Sequence, residues 1–132
     1  MNNQQLIELW YHEMWNQWNR DILPEILDKD ITFRGSLGRT CQGYDELLDY
    51  IAYIQNAFPD FTNTIDLIIT EGDQSFAKLT YTGTHQQEVF GIPATGKQIQ
   101  YHGSAIFTFR DNKIVDVWVL GDIYGLIQQL KS

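Results

Sequence analysis

From Asn3 to Asn19 the apolar residues fall on one helical stripe. Leu6, Trp10, Met14 and Trp18 recur every four positions, and Ile7, Tyr11 and Trp15 form a neighbouring row. This spacing predicts a helix over Asn3–Asn19. A second, short helix is expected to start near Pro24, which is tolerated in a first turn, and to end near Asp28. Ile31–Phe33 reads as a short strand and Gly35–Gly43 as a loop. Leu47, Leu48, Ile51, Ile54 and Phe58 then return to helical spacing, and Pro59 closes that helix.

Beyond Pro59 the period changes. Phe61–Thr70, Gln74–Gln87, Gln98–Arg110 and Lys113–Leu120 are long runs rich in Ile, Val, Thr, Tyr and Phe. Turn signals separate them at 71–73, 91–96 and 111–112. Asp122–Lys131 reads as a last helix with Asp122 as its N-cap. Helices first and meandering strands second give an α+β layout, with helices covering one face of a curved antiparallel sheet. No repeat, linker or low-complexity segment divides the chain, so residues 1–132 are read as one domain.

The last hairpin decides which side chains face inward. A three-residue loop with a bulge at Asp111-Asn112 would pair Phe109 with Lys113, Phe107 with Val115, Ala105 with Val117 and Gly103 with Val119. One face is then Tyr101, Gly103, Ala105, Phe107, Phe109, Val115, Val117 and Val119, without a charge. The other face is mixed: His102, Ser104, Ile106, Thr108, Ile114, Asp116, Trp118 and Leu120. A one-residue slip would flip every side chain on a strand, which favours the register that keeps one face apolar. Gly103 and Ala105 are small on the helix-covered face. They either leave a cavity or are filled by a Trp of the first helix. The mixed face is either wet or a dimer surface centred on Trp118, with Ile106 and Thr108 beside it.

Charge narrows the partners. Nine Lys and Arg against 17 Asp and Glu give a net charge of -8. That weighs against nucleic acid and against an anionic membrane surface, both of which are bound through basic residues. The single cysteine, Cys41, forms no internal disulfide, and no His/Glu pairing has metal spacing, so no metal is expected. A reducing cytoplasm is the simplest compartment. The polar N-terminus lacks a basic segment followed by an apolar one, and no signal peptide is expected.

The order of elements resembles the nuclear transport factor 2-like fold, a cone of three helices on a strongly curved sheet. Within it the chain is similar to the SnoaL-like polyketide cyclases. The resemblance rests on Ala57-Phe58-Pro59-Asp60, Gly83-Thr84-His85, Gly91-Ile92-Pro93-Ala94-Thr95-Gly96, Phe109 to Val115, and Asp122 to Leu130. It implies a pocket inside the cone, a homodimer through the sheet, and cofactor-free aldol closure of a polyketide ester by an acidic residue. Carried over residue by residue, the acid/base aspartate falls on Val119, the pocket histidine on Ala105 and a polar partner on Gly103. Asp122 matches a second family aspartate, and an N-cap role alone would explain it. The aspartate of the related steroid isomerases would fall near Gly35.

His85 matches a family position and shares strand parity with Tyr81. It is the proton-transfer candidate, because His titrates near neutral pH; a strand-end His bonded to backbone or water is the bland alternative. Asp122 is the second catalytic candidate. The expected pocket is lined by Tyr11, Trp15, Phe33, Tyr81, Tyr101, Gly103, Ala105, Val117 and Val119, and would take a flat or polycyclic hydrophobic small molecule. The open alternatives are a cyclase or isomerase-like enzyme, a binding protein using the same pocket, and a dimer with no ligand.

Overall fold

The computed structural model describes all 132 residues. The chain runs α1 (Asn3–Leu9), a π-helical turn (Trp10–Trp15), a 3-10 turn (Arg20–Ile22), α2 (Leu23–Ile26), β1 (Leu27–Arg34), β2 (Thr40–Gln42) and α3 (Gly43–Ala57). It continues with β3 (Thr62–Glu71), β4 (Gln74–Thr84), β5 (Gln98–Arg110), β6 (Lys113–Gly121) and α4 (Ile123–Lys131). The six strands form one sheet in the order β2-β1-β6-β5-β4-β3. The expected α+β cone is present, and its sheet is mixed: β1 runs parallel to β6 while the other pairs are antiparallel.

The first helix is shorter than its stripe. Asn2 caps α1 with its side chain on the Gln5 N–H, and Gln5 reaches back to the Asn2 N–H. The α-helix gives way at Trp10 to a wider turn, closed by Asn16 N–H on Tyr11 C=O. Trp18 then adopts a left-handed backbone (φ 57°) and leaves the helix. Its indole N–H donates to Pro59 C=O at 3.0 Å. The loop expected at Gly35–Gly43 contains a short strand, β2, paired with the end of β1.

The last hairpin corrects the expected register. Asp111 and Asn112 both have positive φ (52° and 61°), so the turn has two residues, and Arg110 pairs with Lys113. That turn alone would break the match of faces. A bulge restores it: Phe109 pairs with Ile114 but Thr108 with Asp116, so Val115 has no partner. From there Phe107 meets Val117, Ala105 meets Val119 and Gly103 meets Gly121. Ile114 is thereby buried and Val115 only half-buried. Further bulges interrupt β1 and β3, and such kinks bend a sheet.

One core of 33 buried residues lies between the helices and the inner sheet face. At its rim, Asp60 ties the start of β3 to the end of β4. Its carboxylate accepts the Thr84 N–H and the Thr84 hydroxyl, each at 2.7 Å. Burial alone would raise the Asp60 carboxyl, but these hydrogen bonds together hold it below the usual range. A carboxyl depressed by folding stabilises above its unfolded pKa of about 3.9 and loses that contribution as pH falls through the folded value. Urea denaturation is therefore expected to show Asp60→Asn less stable than wild type at pH 6–7, with the gap closing as pH falls from about 4 toward 2.

Candidate functional site

The cone narrows around an aromatic cluster supplied by every layer. The π-helical turn places Trp10, Tyr11, Met14 and Trp15 inward, all buried. Such turns are rare and frequent at functional sites. Phe33 comes from β1, Tyr50 from α3, Phe61 from the turn before β3, Tyr81 from β4 and Tyr101 from β5. Trp10 meets Trp15 and Phe33 edge-on at 5.8 and 5.7 Å between centroids, and Phe33 meets Tyr50 at 5.3 Å. Phe61 stacks on Tyr81 at 5.6 Å, and Tyr81 lies 4.7 Å from Tyr101.

A cavity remains at the centre of these rings. Its wall is Trp10, Tyr11, Trp15, Phe33, Ser36, Tyr50, Ile54, Phe61, Asn63, Tyr81 and Val119. The space open to the centre of a water molecule is about 20 Å³, room for about one water. Of the expected lining, Tyr11, Trp15, Phe33, Tyr81 and Val119 border it. Tyr101, Gly103, Ala105 and Val117 do not border it. Trp10, Ser36, Tyr50, Ile54, Phe61 and Asn63 were not expected there. Tyr50 carried a readable signal, standing three residues after Leu47 and four before Ile54.

Two glycines decide where the phenol rings rest. A Cβ on Gly103 would come within 2.6 Å of the Tyr81 ring, and one on Gly35 within 2.2 Å of the Tyr50 hydroxyl. The small residue at 103 thus leaves no void; a tyrosine ring takes the space. Ser36 and Tyr101 share a hydrogen bond of 2.9 Å, and Leu37 N–H points at Tyr50 Oη at 3.5 Å.

The cavity wall holds no Asp, Glu, Lys, Arg or His. Burial pushes the Tyr50 phenol up to about 12, partly offset by the Leu37 N–H and Ser36. Burial also raises Tyr11, and raises Tyr81 and Tyr101 well above the ordinary phenol value, with neighbouring phenols adding to the last two. At neutral pH the lining is uncharged and rich in O–H donors.

His85 lies just beyond β4, buried beneath the turn that leads to β5. Its Nδ1 accepts the Thr95 N–H at 3.2 Å and lies 2.9 Å from Thr95 Oγ1, which places the ring hydrogen on Nε2. That Nε2 is buried without a partner, and the ring packs 5.7 Å from Phe58. Asp122 is exposed and caps α4 through the Gly125 N–H at 3.0 Å. Neither residue borders the cavity. No cluster of three or more His, Cys, Asp or Glu side chains is placed to hold a metal ion. Cys41 is buried, and burial raises its thiol.

A scan against family models matches residues 5–130 to the SnoaL-like polyketide cyclases. The chain belongs to this family. No curated protein matches its sequence. Among solved structures it is similar to a candidate SnoaL-like polyketide cyclase from Jannaschia sp. CCS1, with 17% identity over 98% of this chain and 92% of that one and a TM-score of 0.89. IdmH, a candidate polyketide cyclase from Streptomyces antibioticus, is 24% identical over the whole of both chains, with a TM-score of 0.86. AclR, a candidate hydroxylase from Streptomyces galilaeus, is 25% identical over 97% of this chain and 83% of its own, with a TM-score of 0.81. One architecture thus carries differently named activities, and the reaction has to be argued from the site.

The outer face of the sheet is the second candidate surface. Register aligns Ile69, Phe76, Ile106, Trp118 and Arg34 in one row across five strands. The four apolar residues are exposed, as are Leu67 and Leu120 nearby. The Arg34 guanidinium sits 5.3 Å over the Trp118 ring. Thr108 is half-buried in the next row. No helix is long and apolar enough to cross a membrane.

Because the Tyr50 and Tyr81 rings rest on bare backbone, Gly35→Ala and Gly103→Ala should each destabilise the fold by about 1–3 kcal/mol. Chemical denaturation measures this.

Proposed function

We propose that this SnoaL-like protein takes a compact, flat, largely apolar molecule of polyketide-like character into the cone and holds it by hydrogen bonds from buried hydroxyls. The observation that carries this reading is the central cavity with an aromatic, uncharged lining into which tyrosines project. The names of the structural relatives support the ligand class. The cavity in this conformation holds about one water, so a ring-sized ligand requires the aromatic side chains to shift.

An aldol-type closure needs a base that removes a proton from carbon and a donor that steadies the resulting enolate. The tyrosines supply donors. Val119, at the position matching the family's aspartate, supplies no base. Turnover would require His85 or Asp122 to be carried to the ligand. The arrangement therefore favours holding a ligand over cyclising it, without a metal or cofactor.

Trp10 and Trp15 border the cavity and report on its contents. Titration with aromatic ketones and polyketide-like esters is expected to give a saturable change in tryptophan fluorescence with one compound class. No response across the panel would show the cone to be a filled core.

A second reading concerns the sheet, and the exposed row of Ile69, Phe76, Ile106 and Trp118 favours it. This face suits a second copy of the chain. It is apolar at the centre and carries Arg34 and Lys78 together with Asp66 and Asp116 around it, both signs that a self-complementary contact needs. Ile106→Lys and Trp118→Lys, each exposed and so compatible with folding, are expected to convert a dimer to monomers in sedimentation velocity. An unchanged sedimentation coefficient would refute this face as the interface.

A further inference from the structure

Two fully buried side-chain polar atoms have no hydrogen-bond partner: Tyr11 Oη and His85 Nε2. Folded proteins rarely leave such groups unmet, and each needs an explanation. Only Tyr11 borders the cavity. Burial raises the phenol and the neighbouring Trp10 side chain offsets part of that, but an indole N–H can only donate. It offers no acceptor for the Tyr11 proton. The π-helical turn that carries Tyr11 brings the hydroxyl to this place together with Trp10 and Trp15.

We propose that Tyr11 selects what the cone binds, by donating its Oη–H to a neutral oxygen acceptor of the ligand: a ketone, ester or quinone carbonyl. This rests on the reading that the cone holds a ligand. The rest of the wall sets the remaining limits. A carboxylate or phenolate would be stripped of water with no Lys or Arg to meet it. A cation would find no carboxylate. A pure hydrocarbon would fit the rings but leave the phenol unmet. A site built to bond an oxygen discriminates against the analogue without it, because its own buried donor is left unpaired.

A matched pair of probes tests this: 1-indanone and indane, which share a bicyclic frame and differ in one carbonyl oxygen. Binding of each is followed by tryptophan fluorescence in wild type and in Tyr11→Phe. The substitution should raise the Kd for 1-indanone about tenfold and leave that for indane unchanged or lower. Infrared difference spectra of bound 1-indanone should show a carbonyl stretch lowered in wild type and restored in the variant. Equal effects of Tyr11→Phe on both probes, or none on either, would overturn the assignment, as would an unshifted carbonyl in wild type. That last measurement needs only the wild-type protein, so it decides even if the variant does not fold. If wild type binds neither probe, the cone is not a ligand site, and both readings fall; binding of both without discrimination removes Tyr11 alone.

Discussion

The rings of the cone close on one another because two positions of the sheet region carry no side chain. Gly35 and Gly103 let the phenols of Tyr50 and Tyr81 lie against bare backbone. From those seats the contacts run on: Tyr50 to Phe33 and Trp15, Tyr81 to Phe61 and Tyr101. Edge-on and offset contacts of this kind add to the burial of large apolar surfaces. The same contacts shrink the central space to about one water. Packing and site are here one arrangement, and any ligand competes with side chains for its room.

Much of this was legible. The helical stripes located α1 and α3, the long β-branched and aromatic runs located β3 to β6, and the order of elements gave the cone. What escaped follows from interactions that spacing does not encode. Over so short a stretch the wider winding still leaves Trp10, Tyr11, Met14 and Trp15 all buried, so Asn3–Asn19 reads as one helix although the structure changes at Trp10. The hairpin hid two compensating features, a two-residue turn and a bulge at Val115. Hydrophobic patterning favoured the right inner face but with a register shifted by two, because Val115 and Ile114 are equally apolar. In the site, Gly103 was readable as a small residue facing inward. That the ring of Tyr81 lies on it was not, since Gly103 pairs with Leu79, two positions away, and ring placement depends on diagonal cross-strand neighbours.

Charge divides the molecule into an inside and an outside. The net charge of -8 resides around a cavity with no ionisable acid or basic side chain apart from phenols held protonated by burial. The outer sheet face, by contrast, mixes exposed apolar residues with Arg34, Lys78, Asp66 and Asp116. Association through that face and binding inside the cone would therefore draw on different forces. The first would depend on apolar burial with charges at its edge, the second on shape and on single hydrogen bonds in a dry site, where each donor counts for more.

The resemblance to the family's cyclases implies an aspartate at the position that Val119 holds here. Val119 pairs with Ala105 on the inner face and borders the same space as Tyr11. A carboxylate there would accept hydrogen bonds only, and phenol O–H groups are suitable donors to it. Valine offers no such acceptor. Tyr11 Oη is buried and unpartnered. The cavity wall holds phenol donors and no carboxylate. A molecule bringing its own carbonyl oxygen to Tyr11 would complete that set.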